Sequence, residues 1–255
     1  MKSIALIGIG AGNPEQITVE AIKALNRTDV FFLLDKGPAK AELLDARLAL
    51  CERYIERPGY RVVRIADPQR ARQPSDYVHS VEAWHRQRAR LWARLIDAEL
   101  KENERGAFLI WGDPSLYDGT LRIVERMKAA GLVFDYQVIP GISSVQALAA
   151  RHRIALTAIA GSLQITTGRR LARMPAADID NLVVMLDAHA GLSELEQQDL
   201  YIYWGAYLGT ADELLIHGPL AQARPRIIAA REQARQRKGW IMDTYLLRRC
   251  PAPPS

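Results

Sequence analysis

Three candidate strands in this chain, two of them apolar runs, each stop abruptly at a glycine turn. Phe108 to Trp111 enters Gly112-Asp113-Pro114, Ile4 to Ile9 enters a loop of Gly8, Gly10 and Gly12 closed by Pro14, and Phe134 to Ile139 enters Pro140-Gly141. A short apolar run bounded by turn residues reads as a buried strand. Helical spacing follows each one: Ile17, Ala21, Ile22 and Leu25, then Leu121, Val124 and Met127, then Val145, Leu148 and Ala149. Strand, turn and helix in repetition specify an α/β fold, because parallel strands need a crossover to join them. The loops at the carboxyl ends of parallel strands share one sheet edge, where ligands collect. Gly112 permits close backbone approach, Pro114 fixes the exit direction, and Asp113 places a carboxylate at the rim. Taken alone, an Asp-Pro turn is equally an ordinary surface bend.

The remaining pattern fills in around these runs. Val30 to Leu34, ending at Asp35, completes a β-α-β unit with the first strand and helix. Leu43 to Tyr54 has helical spacing, Arg61 to Ile65 is a short strand, Asp67 to Asp76 is a polar loop, and a long helix runs from about Val81 to Lys101. Ser143 or Ser144 is placed to cap a following helix. Beyond it, extended pieces lie within Ile154 to Thr167, Asn181 to Leu186, Leu200 to Trp204 and Gly239 to Leu247, before a Pro-rich tail from Cys250 to Ser255. The expectation is a mostly parallel N-terminal domain over 1–114, a mixed-sheet C-terminal domain over 115–249, and a tail over 250–255.

Composition narrows the class. With 255 residues, 49% hydrophobic and 25% charged, the chain is of ordinary globular type. The net charge of +5 favours an anionic partner. Cys51 and Cys250 stand far apart with no C-x-x-C arrangement, so neither a disulfide framework nor a thiolate metal site is expected, and a reducing cytoplasm fits. No apolar run approaches the roughly 18 residues of a membrane span.

The Gly8 to Glu15 loop invites a dinucleotide-binding reading, with Asp35 placed about where a ribose-binding acid would stand. Two residues argue against it. Asn13 replaces the third glycine, and Glu15 would put negative charge where a pyrophosphate should bind. The segment Trp84 to Arg94 is a basic helix; it reads either as a solvated arginine face with tryptophan packed inward, or, with Arg169 and Arg170, as a holder of ligand carboxylates. Nothing outside it supports nucleic-acid binding.

The glycine-proline opening, the strand into Gly112-Asp113-Pro114, and Ile139-Pro140-Gly141-Ile142-Ser143-Ser144 resemble, in order and spacing, the three signature motifs of the tetrapyrrole (corrin and porphyrin) methylases. The resemblance covers nearly the whole chain. It implies a two-domain α/β enzyme that binds S-adenosylmethionine in the cleft between the domains, yields S-adenosylhomocysteine, and acts as a homodimer. By that resemblance Gly112, Asp113, Leu116, Tyr117, Ser143, Ser144, Met185, Leu186, Gly205, Ala206, Met242 and Thr244 hold the cofactor. Gly10, Gly12, Pro14 and Arg169 face a tetrapyrrole bearing several carboxylates. Tyr77 with Val81 to His85, Trp111 to Thr120, Gln146 to Arg151, Tyr203 to Gly209 and Gly239 to Tyr245 are similar to one branch of the family, which methylates C-1 of precorrin-5 and releases acetate to give precorrin-6A. Tyr117 and Asp118, just past the cofactor turn, are the candidates for proton transfer. Other precorrin methyltransferases and an NAD(P)-dependent oxidoreductase remain as alternatives.

Overall fold

The computed structural model describes residues 1–37, 40–68, 77–187, 191–195 and 199–249, the side chains of 77 and 78 excepted. The chain forms two compact units, Met1–Ser143 and Ser144–Ser255. The Pro-rich tail and most of the 67–76 loop lie outside the described residues.

The first unit is a five-stranded sheet built from β1 (Ser3–Gly8), β2 (Val30–Asp35), β3 (Arg61–Ala66), β4 (Arg105–Ile110) and β5 (Asp135–Ile139). Its order is β3-β2-β4-β1-β5, and every pairing is parallel. Helices cover both faces, which is why its central strands read as continuous apolar runs. On one face α3 (Tyr77–Glu99) and α4 (Thr120–Ala129) bury Trp92, Ile96, Ile123 and Met127 against Ile4, Leu6, Phe32 and Phe108. Trp92 stacks on Phe108 at 4.3 Å, and Phe108 on Phe32 at 5.3 Å. On the other, α1 (Val19–Leu25) and α2 (Ala41–Tyr54) bury Leu25, Leu44 and Leu50 against Ile7, Phe31, Leu33 and Leu109.

The expected boundary after residue 114 falls inside this unit. β5 pairs with β1 from Ser3↔Asp135 to Ile7↔Ile139, and α4 packs against α3, so the chain completes the first sheet before it leaves. That pairing joins segments 132 residues apart, beyond the reach of local pattern.

The second unit runs α5 (Ser144–His152), β6 (Gln164–Thr167), α6 (Gly168–Leu171), β7 (Asn181–Met185), β8 (Leu200–Ala206), β9 (Leu214–Pro219), α7 (Leu220–Lys238) and β10 (Asp243–Arg249). Its sheet order is β6-β7-β10-β8-β9, mixed as expected: β6 and β7 are parallel, the rest antiparallel. Trp204, Tyr245, Leu247, Ile202 and Val184 form its core with Ala223 and Ile227 of α7. Neither β9 nor α7 is evident in the sequence pattern, and the last strand begins at Asp243 rather than Gly239. In α7 the buried stripe is Leu220, Ala223, Ile227, Arg231 and Ala234, and Pro225 lies inside the helix. An arginine in the apolar stripe and an internal proline hide the helix from any reading by periodicity.

Candidate active site

The three glycine turns of the first unit do converge. Gly10 and Gly112 form an antiparallel bridge, with the Gly112 N–H donating to Gly10 O at 2.8 Å. A side chain on Gly141 would begin 2.2 Å from Gly112 O and 2.8 Å from Gly8 Cα, so only bare backbone fits where these strand ends meet. Asp113 ties them together. Its Oδ2 accepts the Gly141 N–H at 2.9 Å, and its Oδ1 accepts the Ser115 N–H at 2.8 Å and the Ser115 hydroxyl. Burial pushes its carboxyl up, but these donors outweigh it and the pKa lies below the ordinary value. The rim carboxylate read from the sequence is thus bonded inward, to the loops it joins.

Gly10 and Gly12 both have positive φ, and the helix expected to open behind them does not start there. A single 3-10 turn, Pro14–Gln16, intervenes, and α1 begins at Val19 with Thr18 as its cap. Glu15 pairs with Arg53 at 2.9 Å, and Tyr54 donates to Pro14 O. A pyrophosphate on a helix N-terminus, the physical basis of the dinucleotide reading, has no counterpart in this loop.

Past the Gly112 turn, Tyr117 is 43% exposed and holds φ +51°. Non-glycine residues in the left-handed region cost roughly 1–3 kcal/mol and gather at ligand sites. Asp118 Oδ1 accepts the Thr120 N–H at 2.7 Å, which fixes the turn just before α4, whose N-cap is Gly119. Its charge also raises the proton affinity of two buried arginines. Arg47, pushed down to about 10 by burial, donates to Leu109 O at 3.0 Å and lies over the Trp111 ring. Arg88 lies over Trp84 at 4.3 Å and pairs with Asp67 at 2.8 Å, with burial again lowering its pKa. Lys36, just past β2, is pushed down to about 8 by desolvation and then by Arg47. The sequence pattern gave no sign of this basic group. Along α3, Arg86, Arg90 and Arg94 are exposed and Trp92 is buried, as a solvated arginine face with tryptophan inward requires, but Arg88 and His85 are buried too, and His85 packs on Gly119.

In the second unit, the residues assigned to the cofactor by resemblance fall into one row. Thr244 pairs with Met185 of β7 on one side and Gly205 of β8 on the other, with Asp243 opposite Ala206. Ser144 Oγ stands 2.8 Å from Thr244 Oγ1, and Met242 O accepts the Tyr207 N–H at 2.9 Å. Leu186 ends the row, 62% exposed with φ +54°. An apolar side chain turned to solvent in a strained backbone offers a surface to a ligand. Gly205 behaves differently: a Cβ there would meet Leu208 at 2.6 Å and Leu148 at 3.0 Å, so its bareness serves packing. Arg169 lies two residues past Thr167, which pairs with Met185, and is exposed at the same sheet end.

A parallel sheet with glycine-lined strand ends, followed by a mixed sheet that aligns Met185, Thr244 and Gly205, defines a two-unit α/β fold. The chain belongs to the tetrapyrrole (corrin/porphyrin) methylases, whose family model matches residues 3–224. It is 50% identical over 98% of its length, and 96% of the relative's, to the precorrin-6A synthase (deacetylating) of Sinorhizobium sp. Among solved structures it is similar to a Corynebacterium diphtheriae protein described as related to cobalamin synthesis, with TM-score 0.85, 38% identity, and coverage of 98% of this chain and 100% of that one. The uroporphyrin-III C-methyltransferase of Thermus thermophilus, solved with S-adenosylhomocysteine, shares the fold at TM-score 0.61 and 19% identity, covering 96% of this chain and 97% of that one.

Proposed function

We infer that this chain is an S-adenosylmethionine-dependent C-methyltransferase of cobalamin biosynthesis that methylates C-1 of precorrin-5 and releases acetate, giving precorrin-6A. The observation that carries this reading is the identity of 50% across nearly the whole chain to a precorrin-6A synthase (deacetylating). The residues fit the cofactor's mixed character: bare backbone at Gly112, exposed apolar surface at Tyr117 and Leu186, and hydroxyls at Ser144 and Thr244.

Bound S-adenosylmethionine supplies a methyl group on a sulfonium already activated for transfer to carbon. The protein's share is therefore orientation and proton handling. In the first unit Gly112, Leu116, Tyr117 and Ser143 are assigned to the cofactor, with Asp113 holding their loops in place. In the second unit Ser144, Met185, Leu186, Ala206, Met242 and Thr244 are assigned to it, with Gly205 fixing the strand. Gly10, Gly12, Pro14 and Arg169 are assigned to the tetrapyrrole, and the exposed cation Lys36 suits its carboxylates. Tyr117 and Asp118 are assigned to proton transfer. A second copy of the chain as partner and a cytoplasmic location belong to the same reading. No described helix is long and apolar enough to cross a membrane.

Incubation with precorrin-5 and the methyl donor, following product mass and acetate, tests the assignment. One methyl gained with one acetate released is expected. Methylation without acetate would move the chain to another precorrin methyltransferase, and tight NAD(P) binding with no response to S-adenosylhomocysteine would overturn the reading.

A further inference from the structure

The second unit holds a buried charge cluster that the proposed chemistry leaves unused. Arg231 of α7, 4% exposed, donates through Nε to Asp243 Oδ2 at 2.7 Å and through Nη2 to Asp187 Oδ2 at 3.0 Å. Asp187 stands two residues beyond the end of β7, directly after the strained Leu186; Asp243 opens β10, between Met242 and Thr244. Each carboxylate has further donors. Asp187 accepts the Gly191 N–H at 2.8 Å, the Leu192 N–H at 3.3 Å and the Tyr245 hydroxyl at 2.9 Å. Asp243 accepts Trp204 Nε1–H at 2.7 Å. Gly168 closes the cluster from the side, since a Cβ there would come 2.1 Å from Asp187 Oδ1.

Two aspartates and one arginine in a protein interior are poor stabilisers, because desolvation offsets most of their attraction and apolar residues would do as well. What such a cluster does provide is fixed geometry. A guanidinium is a planar fork that can hold two carboxylates at once, which an ammonium on a flexible stem does not reproduce. We propose that Arg231 is a positioning residue for the methyl donor: one side chain locks the exit of β7 to the entry of β10, so that Leu186 and Met242 to Thr244 are held ready for the ligand. This rests on the reading that those segments contact the cofactor.

The test is Arg231→Lys, which keeps the charge but serves one carboxylate, compared with wild type well below the variant's own melting temperature. The KM for S-adenosylmethionine and the Kd for S-adenosylhomocysteine are expected to rise roughly 10- to 100-fold, the range misplacement of a site by about 1 Å produces. The KM for the tetrapyrrole should stay within about twofold on the same argument. Hydrogen exchange of the ligand-free variant should quicken at 185–187 and 242–244 while the centre of the sheet stays protected. Unchanged donor KM, an equal rise in both KM values, or quickened exchange spread over the whole second sheet would each overturn the proposal. If Arg231→Lys does not fold, Asp243→Asn removes one arm of the lock and should give the same split. Wild type that binds no S-adenosylhomocysteine would sink the functional reading itself, and the positioning role with it, whatever the exchange pattern.

Discussion

Asp113 shows how one side chain can serve a site without facing it. With its carboxylate spent on Gly141 and Ser115, Asp113→Ala should destabilise the first unit by about 2 kcal/mol, the scale for hydrogen bonds to a charged acceptor. Its effect on cofactor-dependent turnover should exceed that of Asp35→Ala, whose carboxylate accepts the Gly37 N–H at 2.8 Å; the reverse order in steady-state assays would favour the dinucleotide reading. His85 gives a pH signature. Burial first, then Arg88, Arg126 and Arg122, hold its imidazole below the usual value, against Glu82. A depressed folded pKa contributes stability that is present above the unfolded value of about 6.5 and lost as pH falls through the folded value. Urea midpoints should therefore drop on acidification below that pH, and His85→Gln should flatten the drop. His152, also depressed, keeps its own share in both proteins. Cys51, buried with its thiol pushed up to about 12, should resist alkylation in the native protein and react on unfolding, as peptide mapping would read.

At the scale of elements, the site depends on how closely strand ends approach. Gly141→Ala forces a methyl against Gly112 O and Gly8, with no flexible side chain to yield, and should cost about 3 kcal/mol or more. Gly131, at φ +91° with nothing within 4 Å, is the control: Gly131→Ala carries only the backbone penalty of about 1 kcal/mol. Equal urea midpoints for the two variants would contradict the close approach of β1, β4 and β5. The loops following β1 and β4 were legible because apolar runs that end in glycine have few other uses; the loop after the edge strand β5 was legible from Pro140-Gly141. Helix α7 was not legible, since Arg231 occupies a core position for the sake of two aspartates on other elements, 12 and 44 residues away in the sequence.

For the whole molecule, ligand linkage is the broadest check. S-adenosylhomocysteine at a hundred times its Kd should raise stability by about 2.7 kcal/mol, read as a shift in the melting curve, while NAD should give none. A fold of two units makes a second observable available. Hydrogen exchange followed along the chain would report whether protection rises within each unit at the assigned strand ends.

The sequence by itself determined the α/β class, the parallel sheet and the three glycine turns, because a strand buried on both faces must be apolar and a crowded turn must be bare. It also carried the family motifs. Tertiary structure decided what no local pattern can hold. It moved the unit boundary to Ser143, since β5 completes the first sheet by pairing with a strand at the other end of the unit. It aligned Met185, Thr244 and Gly205 in one row through antiparallel register. It turned Asp113 inward, and it gave Arg231 its two partners. Each of these depends on which distant residues become neighbours, and neighbours are set by packing in three dimensions.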